Sequence, residues 1–213
     1  MKIKNILFDL GGVIMTIDQP SAVKRFKEIG LADAEQRLDP YTQSGIFGEL
    51  EEGLITTDEF VISLSKMCGR QLTFEECKYA WRGYTKEVPM RNIQVLDRLR
   101  ADGYGLILIS NTNPFMMHWG MSDDFSGDGR SISKFFDALY MSFKMRLMKP
   151  DRRMFERIID NEKINPAETL FVDDGPKNIE VGASIGFQTF CPRNGEDWTA
   201  EIYEVLTKAE SET

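Results

Sequence analysis

The alternation of short apolar runs with helical repeats constrains the fold of this chain more than any other feature. Between the runs, apolar residues recur at helical spacing, as Ile93, Leu96 and Leu99 do. Strands that alternate with helices connect through right-handed crossovers and form a parallel sheet covered on both faces. The sequence therefore predicts an α/β fold with a central parallel sheet. The predicted strands are residues 3–8, 105–109, 138–141, 170–172 and 187–190.

Residues 16–88 lie between the first two predicted strands and carry almost no strand signal. Several helical patterns fill them instead, and Thr57-Asp58-Glu59-Phe60 has the composition of a capped helix start. The segment is too long and too helical for a simple crossover between parallel strands. We therefore expect an inserted helical domain at 16–88, which forms a cap on a core domain made of 1–15 and 89–213.

The charge and composition of the chain disfavour several functional classes. With 34 acidic and 26 basic residues the net charge is -8, which argues against broad binding to nucleic acids or anionic membranes. No apolar stretch is long enough for a membrane span, and Asp9 interrupts the apolar start too early for a signal peptide. We therefore expect a cytoplasmic protein without nucleic-acid or membrane partners.

Polar residues stand where three of the predicted strands end. Asp9 follows the first strand and precedes paired glycines, which let a backbone approach a ligand closely. Ser110 and Asn111 follow the second strand, and Asp173 with Asp174 follows the fourth. Because ligands of such sheets bind outside the carboxyl ends of the strands, we expect these side chains to meet at one rim.

Together these residues have the chemistry of a phosphate and metal site. Asp9, Asp173 and Asp174 would repel one another unless a cation lies among them, and Mg²⁺ is the natural occupant. Lys149 would supply a point positive charge to a bound phosphoryl group, and the Ser-Asn pair would supply neutral donors. In this arrangement Asp9 would attack phosphorus in line as a nucleophile.

The motifs that carry this chemistry follow one another in a fixed order: Asp9-Leu10-Gly11-Gly12-Val13, Ser110-Asn111-Thr112-Asn113, Lys149-Pro150-Asp151 and Val172-Asp173-Asp174-Gly175-Pro176-Lys177-Asn178. The set resembles the four motifs of the haloacid dehalogenase (HAD) superfamily and covers nearly the whole chain. Within it, the motifs are similar to those of sugar-phosphate phosphatases related to bacterial α-glucose-1-phosphatase and to the N-terminal domain of soluble epoxide hydrolase. The resemblance implies a Rossmann-like core, an inserted helical cap of the first type and a small phosphorylated metabolite as substrate.

The resemblance also implies roles for individual residues of the site. It implies dependence on Mg²⁺ and a phosphoaspartyl intermediate on Asp9. The metal would be coordinated by Asp9, by the backbone carbonyl of Gly11 and by Asp174, with Asp173 acting through water. Asn178 falls where a polar residue would support the acidic pair.

The chain departs from the superfamily pattern at Gly11. Most phosphatases of the superfamily have an aspartate there, which protonates the leaving group and then activates water, and its loss is worth roughly 10²–10⁴ in rate. Cap residues Glu49, Glu51 and Glu52 are candidate replacements, although such an acidic run is also typical of a solvated turn. Trp81 is a candidate for contact with a sugar, with core packing as the alternative.

Three functions remain open on this reading. The motifs favour a Mg²⁺-dependent phosphatase for a sugar phosphate. A phosphosugar-binding protein that lost turnover with Gly11 is the alternative of a different class. A 2-haloacid dehalogenase fits less well, because Asp173 and Asp174 would repel a carboxylate substrate unless a cation were bound.

Overall fold

The computed structural model describes residues 2–39 and 43–211, without the side chains of 210 and 211. None of the helices within these ranges is long and apolar enough to cross a membrane. In chain order the strands and helices are β1 (Asn5–Phe8), β2 (Thr16–Ile17), α1 (Gln19–Glu28), α2 (Ala34–Arg37), α3 (Gly45–Glu51), α4 (Thr57–Cys68), α5 (Phe74–Trp81), β3 (Thr85–Glu87), α6 (Met90–Ala101), β4 (Gly105–Ser110), α7 (Pro114–Gly120), β5 (Ala138–Met141), α8 (Ser142–Met145), α9 (Arg152–Glu162), β6 (Thr169–Val172), α10 (Pro176–Ile185), β7 (Gln188–Phe190) and α11 (Glu201–Ser211). Short 3-10 turns lie at Arg82–Tyr84, Ile132–Lys134 and Pro166–Glu168.

The central sheet is parallel and has the strand order β5-β4-β1-β6-β7. Strand β1 is in the middle, where Phe8 lies opposite Leu108 of β4 on one side and Val172 of β6 on the other. Helices flank the sheet on both faces, so the predicted α/β fold with a Rossmann-like core is confirmed. Each predicted strand is present, with ends shifted by at most two residues.

Alternation along the strands divides the apolar core between the two faces of the sheet. Ile6 and Phe8 point into the larger core, whereas Leu7 belongs to a smaller core on the opposite face. In the smaller core Phe155 of α9 packs edge-on against Phe171 of β6, with ring centroids 5.2 Å apart. Because β1 is buried on both faces, its carboxyl end is fixed in position.

Helices α1 to α5 lie between β2 and β3 and pack around an aromatic cluster. Phe47 contacts Phe26, Phe60 and Trp81 at centroid distances of 5.5 to 5.9 Å. We call the helical part of residues 16–88 that the structure describes the helical insert. The sequence had placed a capped helix start at residue 57, but the N-cap of α4 is Thr56.

Two short strands at the ends of the insert were not predicted. Strand β2 pairs with β3 in antiparallel fashion, with Thr16 opposite Glu87 and Ile17 opposite Thr85. The chain therefore enters and leaves the insert at one place, and the two passages are hydrogen-bonded to each other.

Candidate active site

The carboxylates that follow β1 and β6 lie together at one rim of the sheet. The parallel register of Phe8 and Val172 places Asp9 beside Asp173. One carboxylate oxygen from each of Asp9, Asp173 and Asp174 lies within 4.8 Å of the others. The strand ends therefore bring together acids that are more than 160 residues apart in the sequence.

Lys149 is buried between two of these carboxylates. Its Nζ lies 2.9 Å from Asp9 Oδ1 and 2.6 Å from Asp173 Oδ2. Burial opposes the charge on the ammonium group, but the two carboxylates outweigh this effect and raise the pKa of Lys149. Lys149 is thus a fixed positive charge in contact with the carboxylate of Asp9.

The position of Lys149 is set by the residues that follow β4. Asn111 Nδ2 donates to the carbonyl oxygen of Lys149 at 2.9 Å, and Asn111 Oδ1 accepts from the backbone N–H of Lys149 at 2.8 Å. The side chain of Asn111 is thereby turned to the Lys149 backbone. Ser110, the last residue of β4, is buried and lines the cavity described below.

The carboxylate of Asp173 is held by hydrogen bonds from the protein. Asp173 Oδ1 accepts from the backbone N–H of Gly175 at 2.8 Å and from Asn178 Nδ2 at 2.9 Å, while its other oxygen accepts from Lys149. Both oxygens of Asp173 therefore have protein donors. The contact with Asn178 is the one expected of a residue that supports the acidic pair.

Burial raises the pKa of Asp9 to about 8 and that of Asp174 to about 6, and the neighbouring carboxylates act in the same direction. The charge of Lys149 opposes both shifts. A cation among these oxygens would remove the repulsion, and hard carboxylate oxygens are the ligands that Mg²⁺ prefers. The donor set therefore fits Mg²⁺.

Gly12 makes room for the carboxylate of Asp174. Its φ is +77°, and a Cβ at this position would lie 2.0 Å from Asp174 Oδ2. A side chain here would displace the acid or strain the backbone. At Gly11 the obstacle is different, because a Cβ would meet the end of the Ile17 side chain at 2.9 Å. The space beside Gly11 is therefore occupied by an apolar side chain.

A cavity of about 560 Å³ opens beside the carboxylates. The core contributes Asp9, Asp174, Lys149 and the segment 110–112 to its wall. The helical insert contributes the opposite wall, which includes Asp39, Gln43, Glu51, Trp81 and Tyr84. A small phosphorylated metabolite fits in this volume.

Glu51, the last residue of α3, projects into the cavity wall from the insert. It is only 8% exposed, and its Oε1 lies 3.5 Å from Asn113 Nδ2. Burial raises the pKa of Glu51 to about 8, although the hydrogen bond from Asn113 opposes the shift. Of the three acids that the sequence suggested, Glu49 is exposed and Glu52 is half-buried. The structure describes all three, and of these Glu51 alone lines the cavity.

Trp81 packs within the insert and also reaches the cavity. Its ring belongs to the aromatic cluster of the insert and stacks on Tyr84, with centroids 5.7 Å apart. It also lines the cavity. Its buried Nε1 has no hydrogen-bond partner within the ranges that the structure describes.

Several polar residues at the site were missed, among them Asn113, Gln43 and Tyr84. Asn113 accepts from the backbone N–H of Met116 at 3.1 Å and so caps α7. The sequence Asn113-Pro114 is typical of such a helix start. Gln43 Nε2 donates to the hydroxyl of Tyr84 at 3.1 Å. No local pattern marks Gln43 or Tyr84, because they are 41 residues apart and meet only in the folded insert.

Comparison with known proteins identifies the family. A family model of haloacid dehalogenase-like hydrolases matches residues 3–186. The chain is 48% identical over 204 residues to a D-ribitol-5-phosphate phosphatase of Bacteroides thetaiotaomicron, which covers 96% of this chain and 98% of that protein.

Solved structures give the same result. A HAD-like family hydrolase from Porphyromonas gingivalis superposes with a TM-score of 0.92 and 40% identity, over 97% of this chain and 98% of the other. A variant of a HAD family enzyme from Bacteroides thetaiotaomicron, in complex with magnesium and inorganic phosphate, gives a TM-score of 0.88 and 32% identity over 94% and 98% of the two chains. As its motifs predicted, the chain belongs to the haloacid dehalogenase-like hydrolase family.

Proposed function

We propose that this enzyme, a phosphatase of the haloacid dehalogenase-like family, hydrolyses the phosphomonoester of a small sugar or sugar alcohol with the help of Mg²⁺. The observation that carries the proposal is the contact of the Asp9 carboxylate with Lys149 at the mouth of a cavity that Asp174 also lines. The relative at 48% identity, a D-ribitol-5-phosphate phosphatase, makes D-ribitol 5-phosphate the first substrate to test.

Asp9 is the proposed nucleophile. Its Oδ1 accepts from the backbone N–H of Leu10 at 2.6 Å and from Lys149 Nζ at 2.9 Å, so the carboxylate is held in one orientation. Attack on phosphorus forms an aspartyl phosphate, which water then hydrolyses. Lys149 provides positive charge for the phosphoryl oxygens and Ser110 a hydroxyl donor. Asn111 holds the Lys149 backbone in place.

Asp9, Asp174 and the carbonyl oxygen of Gly11 are the proposed Mg²⁺ ligands, and Asp173 supports them. Mg²⁺ supplies Lewis-acid charge that neutralises the phosphoryl oxygens as they approach a carboxylate. In the absence of such charge the approach of a phosphate dianion to three acids is repulsive.

We also propose that residues 16–88 act as a cap and that its wall recognises the alcohol part of the substrate. Glu51 and Trp81 line the cavity from the insert, opposite the carboxylates of the core. A buried carboxyl and an indole N–H are groups that bind hydroxyls. The cytoplasmic location and the lack of nucleic-acid or membrane partners remain predictions from the sequence.

A binding protein for phosphosugars is the second candidate, and the observation that favours it is the apolar contact at Gly11. Position 11 is a glycine and offers no acid, and a Cβ there would meet the end of the Ile17 side chain at 2.9 Å. Measurement of catalytic turnover distinguishes the two candidates, because only the phosphatase releases phosphate repeatedly.

The decisive experiment measures phosphate release from D-ribitol 5-phosphate and a panel of sugar phosphates, with Mg²⁺ or with EDTA. We expect catalytic turnover with Mg²⁺, loss of it with EDTA, and no turnover in Asp9→Asn under either condition. Substrate binding without release would support the binding protein instead. Turnover that survives EDTA would contradict the metal-dependent mechanism.

A further inference from the structure

We propose that Glu51 is the proton donor to the leaving oxygen of the substrate and, in the second half of the reaction, the base that activates water. The inference rests on the proposed phosphatase function and adds a catalytic residue to it. It assigns to the insert a chemical step, in addition to the recognition of the substrate.

The reaction requires such a donor. When the phosphorus–oxygen bond of an alkyl phosphate breaks, the departing group is a strongly basic alkoxide, and a placed acid contributes about 10²–10⁴ in rate. On the core side, position 11 has no side chain, and Ile17 fills the neighbouring space. The ammonium group of Lys149 is held in ion pairs with Asp9 and Asp173.

The location of Glu51 suits the task. It lines the same cavity as Asp9 and Ser110. Its Oε1 lies 3.5 Å from Nδ2 of Asn113, and Asn113 ends the segment that begins with Ser110 at the tip of β4. The carboxyl group therefore lies beside the segment that follows β4, in the wall of the cavity that Asp9 and Ser110 also line.

The protonation state of Glu51 is also suitable. With a pKa of about 8, set chiefly by burial, most of the group carries its proton at neutral pH. Tyr84 and Asp39 are ionisable neighbours in the same cavity wall. Burial raises the pKa of Tyr84 well above its ordinary value, so Tyr84 stays a neutral hydroxyl. Burial keeps the proton on Glu51 until a stronger base forms next to it.

The proposed reaction has two steps, and Glu51 takes part in both. In the first, an oxygen of Asp9 bonds to phosphorus while the ester bond breaks. The electron pair of that bond goes to the sugar oxygen, which takes the proton of Glu51 and leaves as an alcohol. In the second, the oxygen of a water molecule bonds to phosphorus and Glu51 accepts the proton of that water. The bond from phosphorus to Asp9 breaks, so that inorganic phosphate, ionised Asp9 and protonated Glu51 are restored.

The test compares Glu51→Gln with the matched control Glu49→Gln, an exposed acid of the same helix. The amide of Gln still accepts from Asn113, so the contact with the core is kept while the proton is lost. Two substrates are used: D-ribitol 5-phosphate, whose leaving group needs a proton, and p-nitrophenyl phosphate, whose leaving group does not.

For Glu51→Gln we expect kcat on D-ribitol 5-phosphate to fall by about 10²-fold or more. On p-nitrophenyl phosphate, stopped-flow absorbance should show a burst of p-nitrophenolate at the wild-type rate, followed by slow turnover because the base is missing. Glu49→Gln should behave as wild type, and Glu51→Asp should recover part of the lost activity.

An unchanged kcat on D-ribitol 5-phosphate in Glu51→Gln would overturn the inference, because the proton would then come from elsewhere. Equal losses of the burst and of alkyl phosphate turnover would also overturn it and would leave Glu51 a structural role. If the proposed phosphatase function itself is wrong, the wild-type protein will release no phosphate from either substrate, which distinguishes that outcome from the two above.

Discussion

Asn111 and Lys149 are joined by two hydrogen bonds, of 2.9 and 2.8 Å, between the side-chain amide of the first and the backbone of the second. This pair connects the end of β4 to the lysine that contacts Asp9, so the position of the charge at the nucleophile depends on a residue whose side-chain amide bonds to the Lys149 backbone.

The first prediction concerns this bracing. Asn111→Ala removes both bonds and lets the Lys149 segment move, and since catalysis depends on exact placement we expect kcat to fall by about tenfold or more. The Michaelis constant for D-ribitol 5-phosphate should change less than kcat. Steady-state kinetics measure both. A wild-type kcat would show that the Lys149 backbone is held adequately by other contacts.

The second prediction concerns the metal. Mg²⁺ should raise the melting temperature of the wild-type protein, because a ligand that binds only the folded state stabilises it by about 2.7 kcal/mol at 100 times its Kd. In Asp174→Asn the Mg²⁺-dependent shift should be lost, whereas the exposed Asp123→Asn should retain it. Differential scanning fluorimetry with a Mg²⁺ titration measures the shift. An equal shift in Asp174→Asn would remove Asp174 from the ligand set.

The third prediction concerns Gly11. We expect Gly11→Asp alone to gain less than the same change combined with Ile17→Ala, because its Cβ would meet Ile17 Cδ1 at 2.9 Å and the end of that side chain would have to move. Combined with Ile17→Ala, which opens that space, the new acid should restore turnover of D-ribitol 5-phosphate to the Glu51→Gln variant. The reference for this rescue is Ile17→Ala with Glu51→Gln. Without a gain over that reference, an acid at position 11 cannot reach the leaving oxygen.

The fourth prediction concerns stability against pH. The pKa of Glu51 is raised from 4.5 to about 8, so ionisation of this buried group costs stability as pH rises between these values. Glu51→Gln does not ionise, and it should exceed the wild type in unfolding free energy by on the order of 1–3 kcal/mol near pH 7. The difference should vanish below pH 4.5. Denaturant unfolding at several pH values tests this, and a pH-independent difference would contradict a buried, protonated Glu51.

The sheet and the meeting of the acids were predictable because both follow from periodicity. Buried strands such as β1 carry uninterrupted apolar runs, and the rule for parallel sheets places the residues after them at one rim. The proximity of Asp9 and Asp174 could therefore be predicted from the sequence alone.

Other features depend on contacts that no local pattern encodes. Glu51 could not be separated from Glu49 and Glu52, because the choice rests on which side of α3 meets the core. The amide of Asn111 turns to a backbone 38 residues away, and its direction is set by that partner. Strands β2 and β3 are only two and three residues long, which is too short for the alternation that marks a strand.

The antiparallel ribbon of β2 and β3 has a mechanical consequence. Both connections between the helical insert and the core are hydrogen-bonded to each other in this ribbon. The insert therefore cannot slide away from the core without breaking the ribbon. We therefore expect any widening of the cavity mouth to be a hinge rotation of the insert about this ribbon. We expect such a rotation to separate Glu51 from Asn113, so that the wall of the insert and the wall of the core complete the site together only in the closed form.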